Sequence, residues 1–230
     1  MKEEYSAKLN IDKDEVLRYL GYNNQSVSPE LERTIEHQIE SCVRIATPGY
    51  LYTKYDVEHR ESSVYLKGAG IELAGRDICH HLAGCRYCVM MALTCGMGVE
   101  RELTRLQRVS MTDAVVFDAC ANTYAERLAD YVQSLVEMDA KQEGLYINYR
   151  YSPGYGDFPL DMQRVIVPAL GCEKRIGLTV TDSSLLIPHK SITAVIGIFD
   201  SKPDIERKSC KICNMYDTCI LRKNGDTCDK

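Results

Sequence analysis

No stretch of this sequence is apolar for long enough to cross a bilayer. The longest mostly apolar run, Val89 to Val99, covers eleven residues and includes two glycines, whereas a spanning helix needs about 20 apolar residues. Basic charge is not in excess either. The chain has 28 Lys and Arg against 33 Asp and Glu, a net of −5, so no global positive field draws in nucleic acid. Low-complexity tracts and internal repeats are missing. The opening Met1-Lys2-Glu3-Glu4 lacks both the basic and the apolar region of a secretory signal. The expectation is a soluble cytoplasmic protein without a nucleic-acid or membrane partner. With 45% apolar and 27% charged residues over 230 positions, the chain is neither wholly disordered nor fibrous. It is long enough for one large domain or two small ones.

Cysteine, by contrast, is abundant and odd in number, at 11. In a reducing compartment these are thiols and not a disulfide framework, so spacing has to sort packing residues from metal ligands. Cys210-x2-Cys213-x5-Cys219-x8-Cys228 places four thiols within nineteen residues of a polar, aperiodic stretch. Residues 201–230 carry a net of +2, against −7 for the first 200. The boundary predicted is therefore an α+β domain over 1–200 and a Cys-rich metal-binding tail over 201–230. Tetrahedral zinc and an iron–sulfur cluster both suit four thiolates, and the spacings match neither signature cleanly. A reactive tail without metal is the plainer alternative. Cys79, His80, His81, Cys85, Cys88 and Cys95 form a second cluster, read as packing because Cys88 and Cys95 sit in or beside the apolar run.

Local signals give the elements. Asp12-Lys13-Asp14-Glu15 opens a short helix that stops at Gly21. Ser28-Pro29-Glu30 opens another, with Leu31, Ile35, Ile39, Cys42 and Val43 on one face. Residues 50–73 alternate as strands, Arg76 to Leu82 reads as a short helix, and Tyr87 to Thr94 as a strand buried on both faces. Ser110 caps the longest helix, which runs to about Glu143 before Gly144 and should be roughly 45 Å long. Leu145 to Tyr151 is predicted as a strand, Ser152 to Pro159 as a loop and Asp161 to Leu170 as a helix. Ile176 to Val180 and Ile192 to Phe199 follow as strands. The fold class predicted is α+β, a mixed or antiparallel sheet packed with a long central helix.

The segment Tyr149-Arg150-Tyr151-Ser152-Pro153-Gly154-Tyr155-Gly156-Asp157 has the composition of a ligand clamp. Its glycines let backbone approach a ligand closely, Arg150 can grip a carboxylate bidentately, and its tyrosines can stack on a flat ring. A surface turn with a salt-bridged arginine has the same composition.

Arg150 through Gln163, read as Arg-x-Ser-Pro-Gly-Tyr-Gly-Asp-x-Pro-Leu-x-x-Gln, resembles the S-adenosylmethionine-binding loop of the activation domain of cobalamin-dependent methionine synthase. Ala125-Glu126 with Ala129-Asp130-Tyr131 is similar to the family's Ala-Glu-x-x-Ala-Glu-Tyr segment. Leu178 to Ser183, followed by Pro188 and Ser191-Ile192-Thr193-Ala194, resembles a third stretch of the family. Together they span about residues 119–195. The resemblance implies that Arg150, the backbone around Ser152 and Gly154, and Tyr155 hold S-adenosylmethionine, with Glu126 the acidic contact from the long helix. The family's Asp-Trp-Thr motif has no counterpart, because tryptophan is absent. Its tyrosine beyond the last core strand has none after Phe199.

The folate, homocysteine and corrinoid modules of the full enzyme are also missing, so the chain resembles a small free-standing activation domain. Such a domain is expected to act in trans on a cobalamin-binding methionine synthase, as a subunit and not a complete enzyme. Rescue of inert cob(II)alamin there takes one electron and a methyl group from S-adenosylmethionine. An electron donor is thus a further expected partner, and a cluster on the tail cysteines could relay the electron, which favours iron–sulfur over zinc. Two alternatives stay open: a reactivator of another corrinoid methyltransferase system, and a metal or redox adaptor acting through the tail.

Overall fold

The computed structural model describes residues 9–22 and 25–203. Cys210, Cys213, Cys219 and Cys228, with the expectations placed on them, lie outside the described residues. In chain order the helices are α1 (Lys13–Tyr19), α2 (Pro29–Ile45), α3 (Arg76–His81), α4 (Met97–Val109), α5 (Met111–Gln142), α6 (Gln163–Ala169) and α7 (Cys172–Ile176). The strands are β1 (Gly49–His59), β2 (Ser63–Leu66), β3 (Ile71–Ala74), β4 (Tyr87–Thr94), β5 (Tyr146–Ile147), β6 (Thr179–Val180), β7 (Leu186–Ile187) and β8 (Ser191–Phe199).

Side-chain caps start the helices where the sequence signals them. The Asp12 carboxylate accepts from the Asp14 amide at 2.9 Å, and the Ser28 hydroxyl from Leu31 at 3.2 Å. Ser110 does double duty. Its amide donates to the Leu106 carbonyl at the end of α4, and its hydroxyl accepts from the Asp113 amide at the start of α5. Each such cap satisfies an amide that a helix leaves unpaired in its first turn.

Six strands form one antiparallel sheet in the order β3-β2-β1-β4-β8-β5, and β6 and β7 make a separate hairpin. β1 pairs with β4 from Gly49 to Asp56 and then turns its last residues, Val57 to His59, to β2. Position in the sheet explains why β4 reads as one apolar run. It lies between β1 and β8, and its two faces feed two cores. Val89, Met91 and Leu93 join Ala194, Ile196 and Ile198 against Phe117, Cys120, Leu128 and Val132 of α5. Cys88, Met90 and Ala92 pack on the other side with Val195, Ile78, Phe158, Ile166 and Leu178. Burying each of the Val, Leu, Ile, Phe and Met side chains among them stabilises the fold by about 1.5–3 kcal/mol.

The architecture is thus the α+β arrangement expected, with the 32-residue α5 across one face. Some details differ. Residues 97–109, unassigned from sequence, form α4. The stretch predicted as a strand from Ile176 to Val180 is split, because Gly177 turns at φ +67° and ends α7 first. Leu145 to Tyr151 makes regular ladder pairs only at Tyr146 and Ile147, then returns to β8 through a bridge from Tyr151 to Val195. Among the described residues, no helix is long and apolar enough to cross a membrane.

Candidate functional site

After β5 the chain stays on β8 because Asn148 fastens it. Its amide group donates to the His81 carbonyl and its carbonyl oxygen accepts from the Gly197 amide, both at 2.7 Å. Tyr151 then exchanges two 2.9 Å backbone hydrogen bonds with Val195. Alternation along this extended segment sends neighbouring side chains to opposite faces. Tyr149 and Tyr151 turn to the second core, with the His81 ring 4.7 and 4.8 Å from theirs. Arg150 turns to α5.

There Arg150 meets residues 126, 130 and 133, whose spacing puts them on one stripe of a helix. Its Nη2 donates to Glu126 Oε2 and its Nη1 to Asp130 Oδ1, each at 2.7 Å. Gln133 Oε1 accepts from the Arg150 backbone amide at 3.2 Å and from Nη1 at 3.3 Å. The Arg150 side chain is 22% exposed, against 50% for Glu126 and 55% for Asp130. Burial alone would ease the proton off the guanidinium, but the Asp130 charge and the hydrogen bonds to Glu126 and Asp130 outweigh it and push its pKa up. Arg150 is therefore a fixed cation.

Beyond Tyr151 the loop folds back on itself. The Ser152 carbonyl accepts from the Tyr155 amide at 3.2 Å, and Gly154, at φ +93°, donates to the Phe158 carbonyl at 2.8 Å. Phe158 is buried in the second core, which pins the turn, while Tyr155 stays half exposed. Gly156, at φ +55°, passes so close that a Cβ there would lie 2.6 Å from the Tyr151 hydroxyl and nearer still to Asp77. Asp157 then caps α3 across eighty residues of sequence. Its Oδ2 accepts from the Arg76 amide at 2.7 Å, its Oδ1 from the Asp77 amide at 3.0 Å, and Asp77 Oδ2 accepts in turn from the Asp157 amide at 3.3 Å. Those backbone hydrogen bonds hold the Asp157 carboxyl below its ordinary value. The β6–β7 turn joins the same region, with buried Ser184 donating to Asp161 Oδ1 at 2.5 Å.

Of the residues singled out from sequence, Glu126 and Arg150 are in direct contact. Ser152, Gly154 and Tyr155 lie on the adjoining turn. Tyr131, part of the quoted helix segment, points elsewhere, edge-on to Tyr50 at 6.0 Å. Sequence reasoning passed over Asp130, Gln133, Asp157 and Asp161 as site residues. The i, i+4, i+7 spacing from Glu126 was the available signal for the first two. The pairings of Asp157 and Asp161 span 80 and 23 residues and leave no local trace.

Among the described residues, the buried thiols are not activated nucleophiles. Burial pushes the thiols of Cys42, Cys85, Cys95 and Cys120 up to about 12, so they stay protonated near neutrality. Among the described residues, no three His, Cys, Asp or Glu side chains come together as a metal site. A shallow cleft of about 230 Å³ between α1, α4 and α5 shares no residue with the loop. What the loop offers is a fixed cation, two carboxylates, exposed glycine backbone and a half-exposed tyrosine.

No protein-family model matches this sequence, and no curated protein matches it either. Solved structures do. The MetH reactivation domain, in a crystal structure bound to AdoHcy, superimposes with a TM-score of 0.65 at 14% sequence identity, covering 97% of this chain and 84% of that one. The chain has the fold of that reactivation domain.

Proposed function

We propose that this chain binds S-adenosylmethionine at the Arg150 loop and serves as a reactivation subunit for a cobalamin-dependent methionine synthase carried on a separate protein. The observation that supports this best is the junction of Arg150 with Glu126, a loop cation and a helix anion in contact within a fold shared with a reactivation domain. An amino-acid ligand brings a carboxylate for Arg150 and an ammonium for Glu126. The partly buried Ser152, the exposed backbone at Gly154 and the half-exposed Tyr155 ring would receive the rest of the molecule.

In this reading the chain supplies position and charge. Arg150 and Glu126 fix the amino-acid end, and the turn at Ser152 to Tyr155 orients the sulfonium methyl toward solvent, where the partner docks. A corrinoid held by the partner, once reduced by one electron from a donor, would supply the electron pair for the new bond to the methyl group, and the pair of the broken S–C bond would stay on sulfur, leaving S-adenosylhomocysteine on Arg150 and Glu126. No general base is needed, because no proton moves at the sulfonium.

The test is a reactivation assay. Cobalamin-loaded methionine synthase inactivated by oxidation is mixed with S-adenosylmethionine, a one-electron donor and this chain, and homocysteine methylation is followed. Activity should return only when all are present. Recovery that is equally fast without the chain would count against the proposal, and recovery only with a different corrinoid methyltransferase would redirect it to that system.

A further inference from the structure

Arg150 has one carboxylate more than it needs. Glu126, Asp130 and Arg150 together carry a formal charge of −1, and both acids sit 2.7 Å from the guanidinium. Each uses a single oxygen on Arg150. The other oxygens, Glu126 Oε1 and Asp130 Oδ2, accept no hydrogen bond from any described residue. A plain zwitterion entering this site would match its carboxylate to Arg150 and its ammonium to Glu126, and one negative charge would be left over. A ligand with a second positive charge leaves none.

We propose that Asp130 is a specificity-determining residue that makes the site prefer the sulfonium S-adenosylmethionine over the uncharged thioether S-adenosylhomocysteine that remains once the methyl has gone. The inference rests on the ligand reading given above and adds a residue and a role to it. The two acids divide the work by their surroundings. Gln133 holds both the Arg150 amide and Nη1, on the same side as Asp130. When Glu126 turns to the ligand's ammonium, Asp130 and Gln133 keep the guanidinium in place, and the charge of Asp130 then acts on the sulfur region. Coulomb attraction of this kind distinguishes +1 from 0 at a site one turn of helix away without any contact to the reacting atoms. The consequence is functional, since spent ligand is bound more weakly than fresh ligand and leaves first.

The experiment measures dissociation constants of S-adenosylmethionine and S-adenosylhomocysteine for the full chain and for Asp130→Asn and Asp130→Glu, with thermal melting to show that each variant folds. Asp130→Asn should narrow the preference for the sulfonium by roughly tenfold, the effect of about 1.4 kcal/mol, and Asp130→Glu should retain it. Because Asp130 is 55% exposed, the preference of the unaltered chain should also shrink as ionic strength rises from roughly 0.05 to 0.5 M. A preference that is unchanged in Asp130→Asn, or that is independent of salt, overturns the role of Asp130 while leaving the binding site standing. Failure of the unaltered chain to bind either ligand, alone or with the corrinoid partner, overturns the site itself and this inference with it.

Discussion

Asp157 shows how much a single side chain can tie together. Both its oxygens accept amides from the first turn of α3, and its own amide returns a hydrogen bond to Asp77. These bonds favour the ionised form, so its folded pKa lies below the ordinary 3.8. The sign follows from linkage. The stabilisation is whole above the unfolded value, and it is lost as the pH falls from there through the lowered folded value. Thermal melts taken from pH 5 downward should therefore lose stability more gently in Asp157→Asn than in the parent, and a parallel acid limb would contradict the assignment. Residue types alone suggested Arg150, because an arginine between tyrosines and glycines after a strand is a visible pattern. That Arg150 is paired with two carboxylates of α5 was not visible. The partnership depends on which stripe of α5 faces the end of β5, and the packing of helix on sheet decides that.

Among the helices, three were legible from their own capping signals. Asp12, Ser28 and Ser110 each cap the helix they were assigned to, and Gly144 ends α5 in the left-handed region, at φ +72°. α4 was missed because it opens inside the apolar run, at Gly96-Met97-Gly98, with no side-chain cap. Its opening depends on a tertiary contact, since a Cβ at Gly98 would lie 2.7 Å from the Ile45 carbonyl oxygen. Ser110 is where the two kinds of signal meet, ending α4 and starting α5. Ser110→Ala removes the hydroxyl that accepts from Asp113, and it should cost about 1 kcal/mol, read from the urea midpoint at unchanged slope. No measurable change would mean that α5 is held by packing alone.

At the scale of the whole molecule, the loop belongs to the core. Phe158 is 1% exposed and stands in the second cluster with Ile78, Leu178 and Val195, so the turn from Ser152 to Tyr155 is braced by the sheet and by α3. Phe158→Ala should cost about 3–5 kcal/mol and should also weaken ligand binding, measured by denaturation and by titration of the same preparation. Lost stability with intact binding would mean that the turn holds its shape without its anchor. The two-faced burial of β4 was legible as a run of eight residues from Tyr87 to Thr94. The strand order was not, since β1 reaches β4 past an intervening hairpin and β8 enters between β4 and β5 from far along the chain. Sequence periodicity describes faces, and only packing decides neighbours.

The central claim is that Arg150, held against α5, receives the carboxylate of S-adenosylmethionine. Calorimetric titration of S-adenosylmethionine into anaerobically purified protein, with Arg150→Ala beside it, tests that most directly. The account predicts saturable binding to the parent chain, at least about 30-fold weaker in Arg150→Ala, roughly 2 kcal/mol. Equal binding by the two proteins would contradict it, as would an absence of binding that persists when the cobalamin-loaded partner is added.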